Sequence, residues 1–183
     1  PTMTAPSTYA DCPFVVRAVR IGGIGKRELL AEFQQCGIEL NEAGHELFAH
    51  DRFTVYETPS ILDTVEITVN NLGFAEGATI AKISDRAVKL GLSLCPLELG
   101  PHLRLQYLDQ PEGRIGNPTT QHRAPPGSLT IASYQITEDA DIPKGFYLRR
   151  IDGVLWLRGY RAGPDHVWSP DDHLVFVVSP NAA

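Results

Sequence analysis

Two segments near the end of the chain alternate leucines with arginines and aromatic residues. They span residues 146–151 and 154–160, and the dipeptide Asp152-Gly153 lies between them. Asp-Gly between two apolar-rich segments favours a two-residue type I′ turn. We therefore expect a β-hairpin in which the residues that flank the turn pair with each other.

In this register, one face of the hairpin carries two arginines, each directly across from an aromatic ring. A guanidinium beside an aromatic ring is suited to cation–π contact and to binding a carboxylate, a phosphate or a base. The opposite face carries leucines and must point to the core. The sequence thus predicts a ligand-binding face formed by Tyr147, Arg149, Trp156 and Arg158, with Arg104, Arg114 and Arg123 as additional cations. The alternative is that these pairs only stabilise an exposed sheet face.

An enzyme is a second hypothesis, because acid–base groups occur beside the same region. His122 lies in a long loop next to Arg123, and Glu98 and His102 precede a predicted strand. These groups are candidates for a small hydrolase or transferase. A protein–protein interaction module is a third hypothesis, since Arg, Trp and Tyr dominate interaction hot spots.

A polar cluster near the C-terminus has the residue types of a metal site. It comprises His166 and the run Asp171-Asp172-His173, which flank Pro170. These side chains could converge on a divalent cation. The alternative is a polar turn between two strands, in which Ser or Asp side chains cap the backbone.

The glycine-rich stretch before Lys26 does not match a nucleotide-binding loop. In the Walker pattern, Arg20 takes the place of the first glycine and Arg27 takes the place of the Ser or Thr that binds magnesium. We therefore expect no ATP binding. The histidines at 45 and 50 are five residues apart, whereas a zincin helix needs four, so this pair is not a zincin motif.

The composition fits an ordinary globular protein. The 183 residues are 43% apolar and 21% charged, with 16 Gly and 14 Pro, which excludes a chain that is disordered throughout. The net charge of −6 makes non-specific nucleic-acid binding unlikely. The three cysteines are widely spaced, which predicts reduced thiols. The sequence lacks an apolar run long enough to cross a membrane, and its start does not resemble a signal peptide. We therefore expect a cytoplasmic protein without a membrane segment.

Short helices and strands must position these candidate residues. Apolar periodicity predicts helices over 26–36, 42–48 and 78–90. Gly37 and Gly91 mark the ends of the first and third helices, and Asn41 marks the start of the second. Alternation predicts strands over 14–21, 64–69, 103–107, 129–136, 146–151, 154–160 and 173–178. The expected class is α+β, with a mainly antiparallel sheet and two or three short helices in the N-terminal half.

The chain is expected to form one domain over residues 1–183. Residues 12–58 could form an N-terminal helical subdomain, because two helices follow the first strand closely. Residues 109–127 form a long loop rich in Pro and Gly, and loops of this length are often functional.

Two stretches of the sequence resemble a known group of proteins. Residues 92–113 (LSLCPLELGPHLRLQYLDQPEG) and 145–160 (GFYLRRIDGVLWLRGY), with HVWSPDD at 166–172, resemble blocks of a family of small bacterial proteins with no assigned mechanism. The resemblance implies a bacterial origin. Some members carry the label "helicase", which this chain does not support, because it lacks a P-loop and is too short for two motor domains.

Overall fold

The structure is a computed structural model that describes residues 14–113 and 127–179. Within these residues there are four α-helices: α1 (Lys26–Gln35), α2 (Glu42–Ala49), α3 (Ile80–Lys89) and α4 (Leu99–Gln106). A 3-10 turn covers Asn70–Leu72. The strands are β1 (Val15–Ile21), β2 (Glu39–Leu40), β3 (Ser60–Thr68), β4 (Ala78–Thr79), β5 (Leu92–Ser93), β6 (Leu129–Ile131), β7 (Gly145–Ile151), β8 (Val154–Tyr160), β9 (Val167–Trp168) and β10 (His173–Val178).

One eight-stranded sheet organises the described residues. Its order is β1-β3-β10-β6-β7-β8-β2, with β5 also paired to β10, and β4 and β9 form a separate two-stranded sheet. Most pairs are antiparallel, but β6 with β10 and β2 with β8 are parallel. The predicted α+β class is confirmed. The sheet is mixed, however, and α4 lies beyond the N-terminal half of the chain.

Local signals placed the ends of the early helices correctly. The side chain of Asn41 accepts a hydrogen bond from the backbone of Gly44 and so caps α2. Gly37 and Gly91, which follow α1 and α3, have φ angles of 69° and 81°, the left-handed conformation expected after a helix C-terminus.

The predicted strand over residues 103–107 is wrong, because this segment belongs mostly to α4. Alternation of Leu103 and Leu105 with polar residues indicated a half-buried strand, but Leu99 and Leu103 are one helical turn apart and both reach the core. The polar residue between the leucines, Arg104, is itself buried. The strand predicted over 129–136 is shorter than expected and ends at Ile131.

Apolar clusters pack on both faces of the main sheet. On one face, apolar residues of α1, α2 and α4 pack against β6, β7, β8 and β10 in a single cluster that includes Phe33, Phe48 and Phe146. On the other face, α3 and the small sheet pack against β3 and β10 around Ile83 and Phe176. Among the residues that the structure describes, no helix is long and apolar enough to cross a membrane.

Candidate ligand-binding face and histidine groove

The β7–β8 hairpin has the predicted turn and register. Asp152 and Gly153 have φ angles of 51° and 79°, and a type I′ turn requires positive φ at both positions. Arg149 pairs with Trp156, and Tyr147 pairs with Arg158. The register predicted from the Asp-Gly dipeptide is confirmed.

The two faces of the hairpin differ in burial as the alternation predicted. Phe146, Leu148 and Leu157 are completely buried against the three-helix layer. Tyr147, Arg149, Trp156 and Arg158 are all half-buried on the opposite face, which we call the Arg/aromatic face. The leucine face is therefore the core face.

Arg158 is held in place by both aromatic residues of this face. Its guanidinium carbon lies 4.9 Å from the centre of the Trp156 ring and 6.0 Å from that of Tyr147. Its Nε donates a hydrogen bond of 2.8 Å to the Tyr147 hydroxyl. These contacts use the flat face of the Arg158 guanidinium and its Nε–H group. The remaining N–H groups of Arg158 keep their capacity to bind an acceptor.

Arg149 lies beside Arg158 and interacts with the hydroxyl group of Tyr147. Burial lowers the pKa of Arg149, the Tyr147 hydroxyl acts against this, and the nearby positive charge of Arg158 lowers the pKa further. Its Nε is buried without a hydrogen-bond partner among the described residues. No carboxylate in this part of the chain forms an ion pair with either arginine. The Arg/aromatic face thus concentrates positive charge that the described residues do not neutralise.

Arg104 does not lie on this face. It is completely buried on α4, which packs under the leucine side of the hairpin. Its guanidinium donates to the side chain of Gln110 at 2.6 Å and to the backbone carbonyls of Tyr107 and Trp156. Burial lowers the pKa of Arg104 to about 10, so the side chain stays charged at pH 7. Both terminal nitrogens of Arg104 are occupied by acceptors of the protein, whereas its Nε is buried without a hydrogen-bond partner among the described residues. The expected strand position is corrected to a buried helical one.

Glu98 and His102 form a second cluster at the start of α4. They are one helical turn apart, both are buried, and His102 Nε2 lies 3.1 Å from Glu98 Oε2. The backbone N–H of Tyr56 donates to Glu98 Oε1 at 2.9 Å, and that of Gly22 donates to Glu98 Oε2 at 3.2 Å. Three segments that are distant in sequence therefore converge on one carboxylate.

An open groove of about 1020 Å³ is lined in part by His102. We call it the Gly22 groove, after the glycine that follows β1. Gly22 has a φ of +79°, and a Cβ at this position would lie only 2.4 Å from the carbonyl oxygen of Thr58, so the close approach of the two segments requires glycine. The groove is lined by Arg20, Ile21, Gly22, Ile24, Glu32, Gln35, Cys36, Pro59, Ser60, Ile61, His102, Leu105 and Gln106.

The C-terminal polar cluster is a turn in the structure. The side chain of Asp172 accepts a hydrogen bond from the backbone N–H of Ser169, and the Ser169 hydroxyl accepts one from the N–H of Asp171. His166 packs edge-on against Trp168 with ring centres 4.9 Å apart, whereas His173 contacts Glu66 on β3. In the described ranges, no three metal-ligating side chains are grouped closely enough to hold an ion.

Three other candidates, Arg114, His122 and Arg123, lie outside the described residues. Sequence reasoning also missed Gly22 and Tyr56, whose backbone groups hold Glu98. The one local signal was the spacing of Glu98 and His102, which is that of neighbours on a helix. That signal was lost when the segment was predicted as a strand.

No family model matches this chain, and no curated protein or solved structure is significantly similar to it.

Proposed function

We propose that this protein binds a small planar anion on its Arg/aromatic face. The observation that carries the proposal is the pair of adjacent arginines, Arg149 and Arg158, which have no carboxylate partner among the described residues. A carboxylate or phosphate group would supply the missing negative charge through charge-assisted hydrogen bonds. The rings of Tyr147 and Trp156 would contact the planar part of the ligand.

The shape of the site limits the kind of ligand. None of the four residues lines the Gly22 groove, so the ligand would lie on a sheet surface and would not be enclosed in that cavity. Open sheet surfaces bind planar groups by stacking on exposed aromatic residues. The overall charge of −6 is unfavourable for a long polyanion, which favours a small ligand. A cytoplasmic location would suit such a ligand and stays a prediction.

The test is calorimetric titration with three related probes. We expect 1-naphthoate to bind, and we expect weaker binding of 1-naphthamide, which lacks the charge, and of cyclohexanecarboxylate, which lacks the planar ring. Arg149→Ala and Arg158→Ala should each weaken naphthoate binding by about tenfold, the value of one charge-assisted hydrogen bond.

Arg161→Ala is the matched control. Arg161 follows β8 directly, but its guanidinium pairs with Glu46 of α2, so its loss should leave naphthoate binding unchanged. Equal binding of all three probes, or equal loss in Arg161→Ala and Arg158→Ala, would contradict the proposal. If no probe binds, the Arg/aromatic face is better explained as a protein-interaction surface.

A further inference from the structure

The contacts around Nε2 of His102 favour one tautomer of its ring. This atom lies 3.1 Å from Glu98 Oε2 and 3.2 Å from the backbone nitrogen of Gly22. Both Glu98 oxygens accept backbone N–H groups, as carboxylate oxygens do, and this favours the tautomer in which Nε2 carries the proton and donates it to Glu98. The Gly22 N–H then donates to Glu98 Oε2, which is also 3.2 Å away.

This arrangement leaves the other ring nitrogen of His102 as a hydrogen-bond acceptor. In a neutral imidazole with its proton on Nε2, the lone pair is on Nδ1. Both side-chain hydrogen bonds of His102 among the described residues involve Nε2, so Nδ1 has no hydrogen-bond partner there. His102 is nearly buried and lines the Gly22 groove. The wall of the groove therefore includes a histidine whose Nδ1 is available as a base in this tautomer.

The remaining walls indicate which molecules the groove would accept. Ile24, Ile61 and Leu105 supply apolar surface, and Arg20 and Glu32 contribute charges of opposite sign. A ligand with an apolar body and little net charge suits these walls better than the planar anion proposed for the Arg/aromatic face. This chemistry differs from that of the Arg/aromatic face.

We propose that the Gly22 groove is a proton-transfer site for a small, mostly apolar molecule that carries a weakly acidic hydroxyl group. In the step, the ligand O–H bond breaks and a bond forms between the proton and His102 Nδ1. The products are an imidazolium and a ligand oxyanion, so charge is conserved. Glu98 holds the Nε2 proton and stabilises the imidazolium, as a carboxylate does in other carboxylate–histidine pairs. Arg20 supplies positive charge for the oxyanion.

Nitrogen-15 NMR of the full chain tests the orientation of the base. Long-range proton–nitrogen correlations at neutral pH should show His102 as one tautomer, with the proton on Nε2. In Glu98→Gln, the single tautomer should be lost, although the amide oxygen can still accept one backbone N–H. A proton on Nδ1 in the unaltered protein would overturn the proposal, because Nδ1 would then have no lone pair to accept the ligand proton.

Proton transfer itself is tested with p-nitrophenol, which turns yellow when it loses its proton. At a pH where the free probe is mostly protonated, the protein should produce a saturable nitrophenolate band. His102→Gln should abolish the band, and Glu98→Gln should weaken it about tenfold, the usual cost of losing a group that orients a histidine. Absence of the band in the unaltered protein, or its persistence in His102→Gln, would contradict the proposal.

Two further variants locate the probe and separate this site from the Arg/aromatic face. Ile61→Trp adds bulk to an exposed wall of the groove and should weaken the band without touching His102. Arg149→Ala should leave the band unchanged, and His102→Gln should leave naphthoate binding unchanged. If Arg149→Ala removes the band, the probe binds at the Arg/aromatic face and the groove proposal is wrong.

Discussion

Arginines lie on both sides of the β7–β8 hairpin, in two different environments. Under the leucine side, Arg104 is completely buried and donates to four oxygen acceptors that the protein supplies, in Gln110, Tyr107, Trp156 and Arg149. On the other side, Arg149 and Arg158 are half-buried and lack a carboxylate among the described residues.

The difference shows that residue type alone does not separate a structural arginine from one available to a ligand. What separates them is the number of acceptors that the fold already provides for each guanidinium. Both terminal nitrogens of Arg104 donate to Gln110 or to backbone carbonyls, and Gln110 in turn donates to the carbonyl of Leu148. The two sides should consequently respond differently to the same kind of mutation.

The largest effect is expected from the leucine side. Leu157→Ala removes a completely buried side chain from the main cluster and should lower the free energy of unfolding by about 2–5 kcal/mol. Arg158→Ala, one position further along β8, removes a half-exposed stacking contact and should cost about 1 kcal/mol or less. Urea denaturation measures both, and equal losses would show that the two faces are not distinct.

A change at Arg104 tests whether this arginine is structural. Arg104→Ala leaves buried carbonyl groups without a donor, and we expect a loss of about 3 kcal/mol in unfolding free energy. Arg149→Ala removes the same side chain from the other side of the hairpin and should cost much less stability. Similar losses for the two variants, measured by chemical denaturation, would remove the basis of the comparison.

The turn controls which residues reach each face, so it gives a third and smaller test. Gly153 has a φ of +79° with open space around it, and Gly153→Ala should cost about 1 kcal/mol through backbone strain alone. Because the register is also fixed by the buried leucines, naphthoate binding should persist. Loss of binding together with intact folding would indicate that the turn, and not the leucine face, fixes the register.

The smallest effect concerns a histidine–glutamate pair on the surface, the exposed counterpart of Glu98 and His102. A hydrogen bond that the His173 ring donates to Glu66 raises the pKa of His173 against the effect of burial, and Asp172 and Asp171 add to the rise. Burial alone would raise the pKa of Glu66, but hydrogen bonds from His173 and Arg17 outweigh it and hold that pKa below its usual value.

The sign of the pH dependence follows from these two shifts. The His173 contribution is complete below its usual pKa of 6.5 and is lost as the pH rises through the raised value. The Glu66 contribution is complete above 4.5 and is lost as the pH falls through the lowered value. His173→Gln should therefore cost more stability at about pH 5.5 than at about pH 9. The difference should be less than about 1 kcal/mol, because solvent screens a half-exposed pair. Thermal unfolding at both pH values measures this, and an equal cost would contradict it.

Local chemistry was sufficient to predict much of this protein from its sequence. Asp152-Gly153 fixed a two-residue turn, and because strand alternation has a period of two, that turn assigned every residue of the hairpin to a face. Asn41 and Gly37 marked helix ends through hydrogen bonding and backbone conformation within a few residues. Such signals can be interpreted without knowledge of the rest of the chain.

Tertiary structure alone decided the features that depend on distant residues. Alternation at 103–107 was interpreted as a strand, but packing of Leu99 and Leu103 into the core and the hydrogen bonds of Arg104 favour a helix there. The Glu98 carboxylate meets Tyr56 and Gly22, which are 42 and 76 positions away in sequence. No local pattern encodes these contacts, because they form only when packing of α4 against β1 and the segment before β3 brings the three segments together.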